Sequence, residues 1–363
     1  MEALRRNVQP SVRPRDNPLG TLRVLAPEGV LPQAADRLDP GLPLYADETL
    51  LRVSRLNLDS ASFRQLRQSC GEDPRAIAAE ILRIVRERGK MQNPVTGSGG
   101  MLLGEVLELG PGAPSRFQPG NRVASLVSLT LTPLHLEKIL QVRLETGQVE
   151  VEGHAVLFAS SPAVRMPEDL PEPAALAALD VCGAPAWFRR IAGASDRVLI
   201  LGAGKSGVLC AYAAVQSLAP SSLSLWATDL SEPALARAAA LGVFTRTLRA
   251  DAQRPLDFLE ALRRAGAPEF DLVVNACNAP ETEAAAILAA RPGGKVLFFN
   301  MATRFSRAVL SAEGLGRDVE LVMGNGYAEG HAEYALDLLR RHAALREFFS
   351  GLKAGAARGA SPG

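Results

Sequence analysis

The most specific chemistry in the chain follows a short apolar run, where Val198-Leu199-Ile200-Leu201 leads straight into Gly202-Ala203-Gly204-Lys205-Ser206-Gly207. The spacing suits a turn whose backbone N–H groups face an anion. Gly202 permits the tight turn, Gly204 lets a pyrophosphate approach the backbone, and Gly207 lets the next helix pack close to its strand. The N-terminus of that helix adds free N–H groups and a partial positive charge, with Lys205 and Ser206 as further candidate cofactor contacts. Glycine-rich turns also arise for purely structural reasons, but here strand, fingerprint, helix and a second strand (SLSLWATDL) come in the order a dinucleotide site requires. Asp229 ends the second strand, about twenty residues beyond the fingerprint, where a carboxylate accepts from ribose hydroxyls and repels a 2′-phosphate. The cofactor this implies is NAD in preference to NADP. Asp229 can also be read as part of the N-cap region of DLSEPALARA, shared with Ser231. Two further strand ends, at Asn275-Ala276-Cys277-Asn278 and Asn300-Met301-Ala302-Thr303, should face the cofactor, because open α/β sheets bind ligands at their carboxyl ends. Asn275 and Asn300 fit simple turn chemistry equally well.

The elements that must hold these residues show in the apolar pattern. After about 170 an Ala-rich helix (172–191) precedes the first strand, and a helix starts near Val208. Then come the second strand, another helix, DLVVNACN (271–278), a helix over 281–291, GGKVLFFN (293–300), VELVMGNG (319–326) and a last helix over about 330–349. Apolar strands alternating with helices predict a doubly wound parallel sheet covered on both faces, a Rossmann-type α/β domain. Between 44 and 160 the pattern is short strands and Gly/Pro turns, as in LLRVSRLNL (50–58), GMLLGEVLELG and PGNRVASLVSLT. These predict a small, curved β-domain. DPRAIAAEILRIVRERG (73–89) places apolar residues at 77, 81, 84 and 85 on one helical face, with Gly89 as a C-terminal stop.

Composition excludes several classes of function. The 363 residues are 47% hydrophobic and carry 40 Lys and Arg against 39 Asp and Glu, which describes a globular chain without the basic footprint of a nucleic-acid binder. No stretch reaches the roughly 18 apolar residues of a membrane span, and the N-terminus lacks an apolar signal core. The expectation is a soluble, cytoplasmic protein with no nucleic-acid or membrane partner. Cys70, Cys182, Cys210 and Cys277 lie far apart, which indicates neither a disulfide framework nor a zinc ribbon.

Gly104-Glu105-Val106-Leu107-Glu108-Leu109-Gly110, then Phe117-Gln118-Pro119-Gly120-Asn121-Arg122-Val123, resemble the GxVxxxG…FxxGDRV signature of the medium-chain dehydrogenase/reductase superfamily. His154 to Met166-Pro167 resembles the strand before its central helix. The resemblance implies a GroES-like β-rich catalytic domain (21–165 with 327–350) and a Rossmann NAD-binding domain (166–326). The remaining segments would be an extended N-terminal arm (1–20) and a flexible tail (351–363). The zinc branch carries Gly-His-Glu before the signature; here Gly99-Gly100-Met101 stands there, and Asn57-Leu58-Asp59-Ser60 has no ligand cysteine. Cys182 alone matches a third ligand position, and one soft ligand does not hold zinc. No metal is expected.

Within the superfamily, DSASFRQL, GKMQNPVTGSGGMLLG, ASLVSLTLTPLHLEKI, ILGAGKSG and GNGYAEGHAEYAL resemble the family of L-erythro-3,5-diaminohexanoate dehydrogenases. The resemblance implies NAD-dependent oxidative deamination of that diamino acid to 5-amino-3-oxohexanoate and ammonia, a step of lysine fermentation, by a homodimer paired through VELVMGNG. Amine oxidation can do without metal, because a neutral amine has a lone pair able to expel hydride, provided a base removes its proton. Asp59 corresponds to the place where the superfamily's catalytic-domain ligands project, and Asp180, two residues before Cys182, to a place near the nicotinamide. His154 is a third candidate base. Each has a plainer reading: a turn acid, a capping or surface acid, and a structural strand histidine. Ser60, Thr96 and Ser98 are candidate substrate-binding hydroxyls, the last two on a loop whose glycine density suggests close approach to a ligand or a tight turn. The competing readings are a zinc-independent quinone, enone or alcohol oxidoreductase, and a non-catalytic NAD-binding protein.

Overall fold

The computed structural model describes residues 15–126, 128–193, 197–218 and 222–351. These fall into two compact units, one ending at Glu168 and one spanning Asp169–Gly351. Of the expected arm, only 15–20 lies within the described residues, and the expected tail lies outside them beyond Gly351. Asn17 is buried, with its backbone N–H donating to Asp47 and its side-chain amide to Glu48.

The first unit begins with a small antiparallel pair, β1 (Val24–Ala26) and β2 (Arg37–Leu38). Arg23 and Glu48, both fully buried, form an ion pair at 2.6 Å that ties this segment to β3 (Thr49–Asn57). Two helices follow, α1 (Ser60–Ser69) and α2 (Pro74–Arg88). Asp73 caps α2, Pro74 sits in its first turn, and Gly89 ends it in the left-handed region at φ 63. Then come β4 (Met101–Leu109), β5 (Arg122–Ser125), β6 (Leu134–Arg143), β7 (Gln148–Leu157) and β8 (Ala163–Arg165), in the antiparallel sheet order β6-β7-β3-β4-β5-β8. Ile77, Ile81, Ile84 and Val85, the face read from the sequence, pack with Leu51, Val53 and Val151 in one core. Helix α1 has no counterpart in the sequence reading. Asn57 pairs with both Met101 and Gln148, so the chain after β3 and the chain before β4 leave the sheet at the same end.

The second unit runs α3 (Glu172–Leu179), α4 (Gly183–Ala192), β9 (Arg197–Leu201), α5 (Lys205–Ser217), β10 (Ser224–Asp229), α6 (Glu232–Ala240) and β11 (Arg246–Arg249). It continues with α7 (Pro255–Arg264), β12 (Phe270–Asn275), α8 (Glu283–Ala289), β13 (Ala290–Phe298), α9 (Phe305–Gly314), β14 (Val319–Met323), α10 (His331–Arg341) and α11 (Ala343–Ser350). The strands are parallel in the order β11-β10-β9-β12-β13-β14, the doubly wound sheet expected from buried apolar runs.

Three expectations change here. The helix expected over 172–191 is two helices, because Pro185 has no N–H for the Val181 carbonyl and is tolerated only in a new first turn. The helix expected over 281–291 stops at Ala289, where the strand begins. The segment 327–350 packs in the second unit, not the first: α10 and α11 lie against α3 and α4, with Leu338, Leu339 and Leu345 buried and the Arg189 guanidinium 4.1 Å from the Tyr334 ring centre.

Candidate active site

In the second unit the fingerprint is built as its spacing requires. Gly202 adopts φ 97 and its N–H donates to the Thr228 carbonyl at 2.8 Å, linking the turn to β10. At Gly207 any Cβ would run into the Gly202 carbonyl and come 2.9 Å from the Ile200 side chain, so only glycine lets α5 sit this close to β9. Gly204 is the reverse case: no described atom lies within 4 Å of where its Cβ would stand. The start of α5 has no side-chain cap among the described residues and faces open space at Gly204, which leaves room for an anion at its first turn. Lys205 and Ser206, both partly exposed, occupy that first turn.

The Asp229 carboxylate accepts from the Ala203 N–H at 2.9 Å and from the Ser231 N–H at 2.8 Å. The helix cap itself is Ser231, which accepts from the Ala234 N–H. Each Asp229 oxygen still has a lone pair for a ribose hydroxyl. Lys205 donates to Asp180 at 2.5 Å, so the acid at the end of α3 stands beside the fingerprint with its charge countered. Asn275 and Asn300 meet each other at the carboxyl ends of β12 and β13, but their side chains serve the turns. Asn275 is fully buried, donates to Thr282 Oγ1 at 2.8 Å and accepts from the Cys277 N–H. Asn300 donates to the Asn275 carbonyl and accepts from the Ala302 and Thr303 N–H groups. Cys182 is buried, and burial pushes its thiol up to about 12, which suits an inert packed residue.

In the first unit the hydroxyl loop and Asp59 come together. Asp59 caps α1: its Oδ1 accepts from the Ala61 and Ser62 N–H groups and from Ser98 Oγ, each at 3.0 Å. Ser62 Oγ, Thr96 Oγ1 and Ser98 Oγ form a closed triangle with edges of 2.8 to 2.9 Å. Asp59 Oδ2 is shielded from water and has no hydrogen-bond partner among the described residues. An unsatisfied buried carboxylate oxygen is costly, which singles this atom out as one with acceptor capacity to spare. Ser62 was not identified from the sequence, and Ser60, exposed in the first turn of α1, takes no part in the cluster.

His154 is elsewhere. It pairs across the sheet with Arg52, five residues along β3 from Asn57, roughly 17 Å from that strand end at 3.3 Å per residue. Its Nε2 contacts the Pro40 carbonyl at 3.0 Å, its ring lies 5.1 Å from that of His135, and burial lowers its pKa. The plainer reading of His154, a structural strand histidine, fits this placement. At Gly100, φ is 106 and a Cβ would run into the Asn57 carbonyl and stand 2.8 Å from the Asp59 N–H nitrogen, so no ligand-bearing side chain can occupy that position. Among the described residues no group of three His, Cys, Asp or Glu is placed to hold a metal ion, nor is any helix long and apolar enough to cross a membrane.

A family model for the L-erythro-3,5-diaminohexanoate dehydrogenase N-terminal domain matches residues 22–167. The chain is 43% identical over 334 residues to L-erythro-3,5-diaminohexanoate dehydrogenase of Acetoanaerobium sticklandii, covering 91% of this chain and 97% of that one. Against the enzyme of the same name from Fusobacterium nucleatum the figures are 44% over 337 residues, with 91% and 97% covered. In fold it is similar to CurK enoyl reductase, with a TM-score of 0.53 at 17% identity, covering 92% of this chain and 89% of that one. With relatives this similar over nearly their whole length, the chain belongs to the L-erythro-3,5-diaminohexanoate dehydrogenase family.

Proposed function

We propose that the chain catalyses the NAD-dependent oxidative deamination of L-erythro-3,5-diaminohexanoate to 5-amino-3-oxohexanoate and ammonia, as a cytoplasmic homodimer. The observation that carries this reading is the Asp59 carboxylate, which has one oxygen saturated by three donors and the other shielded from water and without a partner among the described residues. The substrate supplies what that oxygen lacks, an N–H donor bearing positive charge. Away from water such a pair is strong, because little solvent screens it. Asp180 is the weaker candidate for this work, since Lys205 already neutralises it.

The α5 N-terminus, Gly204 and Asp229 fit a dinucleotide, with the pyrophosphate on the first N–H groups and the adenosine ribose on the carboxylate. NAD held by these residues would supply the acceptor for the hydride that leaves C3 of the substrate. Asp59 takes the proton that leaves the C3 ammonium, so that the nitrogen lone pair can form the C=N bond as the C–H bond breaks. Water adds to that iminium and its two protons leave with the nitrogen as ammonium, giving the ketone, while Asp59 returns its proton to solvent.

The experiment is a paired assay of NADH and ammonia with 3,5-diaminohexanoate, beside simple alcohols and amino acids. The two products should appear one for one with the diamino acid alone. NADH without ammonia would mean alcohol or aldehyde chemistry. Asp59→Asn, which preserves the helix cap, should lower kcat and kcat/KM together if Asp59 is the base; a rise in KM alone would reduce it to an ammonium-binding group.

A further inference from the structure

Oδ1 of Asp59 is held from two directions that meet in one residue. The Ser62 N–H donates to it directly at 3.0 Å, and the Ser62 hydroxyl reaches it indirectly through Ser98, 2.8 Å away. Ser62 is fully buried, so no water substitutes for it. A carboxylate can only accept, so Ser98 must turn its proton toward Asp59, and this fixes the direction of the triangle: Ser62 and Thr96 are left to donate to Ser98 or to each other. Chains of this kind polarise one another and hold their members more firmly than isolated pairs do. The loop carrying Thr96 and Ser98 is fastened to the same turn of α1. Asn93, itself buried, donates to the Ser62 carbonyl and to Gln65 Oε1, and its own oxygen accepts from the Val95 N–H.

We infer that Ser62 is a positioning residue: through Ser98 and Thr96 it holds the Asp59 carboxylate with Oδ2 as the one acceptor left for the substrate's ammonium group. This rests on the reading of Asp59 given above, and it moves Thr96 and Ser98 from binding substrate to orienting the group that does. A hydroxyl whose only role is to stabilise the loop would alter melting temperature and leave the handling of substrate unchanged. A hydroxyl that aims the carboxylate alters the handling of substrate, whatever it does to melting temperature, and that effect vanishes once the carboxylate is gone.

The test is a double-mutant cycle in the full-length enzyme. Ser62→Ala and Ser98→Ala should each lower kcat/KM for 3,5-diaminohexanoate about tenfold, the loss expected when one supporting hydrogen bond is removed, with KM for NAD⁺ unchanged. Ser98→Thr, which keeps the hydroxyl, should retain the parent activity. In an Asp59→Asn background neither alanine change should cost anything more. The same cycle is read by calorimetric binding of 3,5-diaminohexanoate to the NADH-loaded enzyme, which needs no turnover and so covers variants too slow to assay. Equal losses with and without Asp59, or full activity in Ser62→Ala, would overturn the inference while leaving Asp59 in place. Full activity in Asp59→Asn would instead remove the reading on which it stands. Should Ser62→Ala not fold, the partly exposed Ser98 carries the cycle alone.

Discussion

Asp229 does two jobs that a substitution can separate. Its carboxylate braces the turn at Ala203 and Ser231 and still offers acceptor sites to a ribose. Asp229→Ala loses both, and hydrogen bonds to a charged group are worth about 1.5–3 kcal/mol each. NADH titration should show affinity at least tenfold weaker, with the preference over NADPH narrowed. Equal binding of the two cofactors by the parent protein would remove Asp229 from the ribose site. Gly207→Ala should abolish cofactor binding by another route, since its methyl group and the Gly202 carbonyl cannot share the space; retained NADH affinity would sink that argument. These residues were legible in the sequence because their constraints are local: a glycine required by its immediate neighbours leaves a spacing that can be read. Ser62 was not legible, because its partners lie 34 and 36 residues along the chain and only the fold brings them together. Asn275 and Asn300 were placed at the right strand ends, but whether their side chains turn outward or back onto the loop depends on partners such as Thr282 that spacing does not reveal.

At the scale of elements, the strands and the long amphipathic helix were readable from period and apolar runs, and the breaks were not. Helix α1, SASFRQLRQS, has buried residues only at Ser62, Phe63 and Leu66, too sparse an apolar stripe to announce a helix before its Asp59 cap is seen. The segment after α2 carries a feature no pattern would suggest. Lys90 is fully buried, and its ammonium donates to the Pro32 and Gln33 carbonyls at 2.9 and 3.3 Å, tying α2's exit to the loop before β2. Burial, reinforced by nearby Arg88 and opposed by Asp36, lowers its pKa from 10.5 to about 8. Below pH 8 the lysine is charged in the folded and the unfolded chain alike, and folding bears the cost of burying that charge. Between about 8 and 10.5 the folded chain has shed the proton and the unfolded chain has not, so unfolding takes up a proton and the fold gains stability as pH rises. Urea denaturation at pH 7 and pH 9.5 should show the difference between the parent and Lys90→Met moving in favour of the parent at the higher pH. A difference that stays flat would mean that this lysine does not titrate in the window.

At the scale of the whole molecule, β14 is one of the two edges of the parallel sheet, hydrogen-bonded among the described residues on one side only, to β13. An edge strand of sequence VELVM, with no proline or lysine to blunt it, is a template for further pairing. Helix α9, which packs beside β14, leaves Phe305 70% and Leu310 64% exposed, and Met301 just before it is 88% exposed. Apolar side chains this bare beside an open edge suit a surface that is covered in solution, and a second copy of the same chain meets both needs at once. Two β14 strands related by a twofold axis run antiparallel, pair their free N–H and C=O groups and bring the two α9 helices to the same seam. Light scattering at micromolar concentration should therefore give twice the chain mass. Leu310→Lys, which places a charge on the apolar face without touching the strand, should shift the population toward monomer and leave the helix intact by circular dichroism. A parent protein that runs as a monomer at that concentration would rule the pairing out. A dimer untouched by Leu310→Lys but broken by a proline at Leu321 would confine the contact to the strand edge and leave α9 outside it.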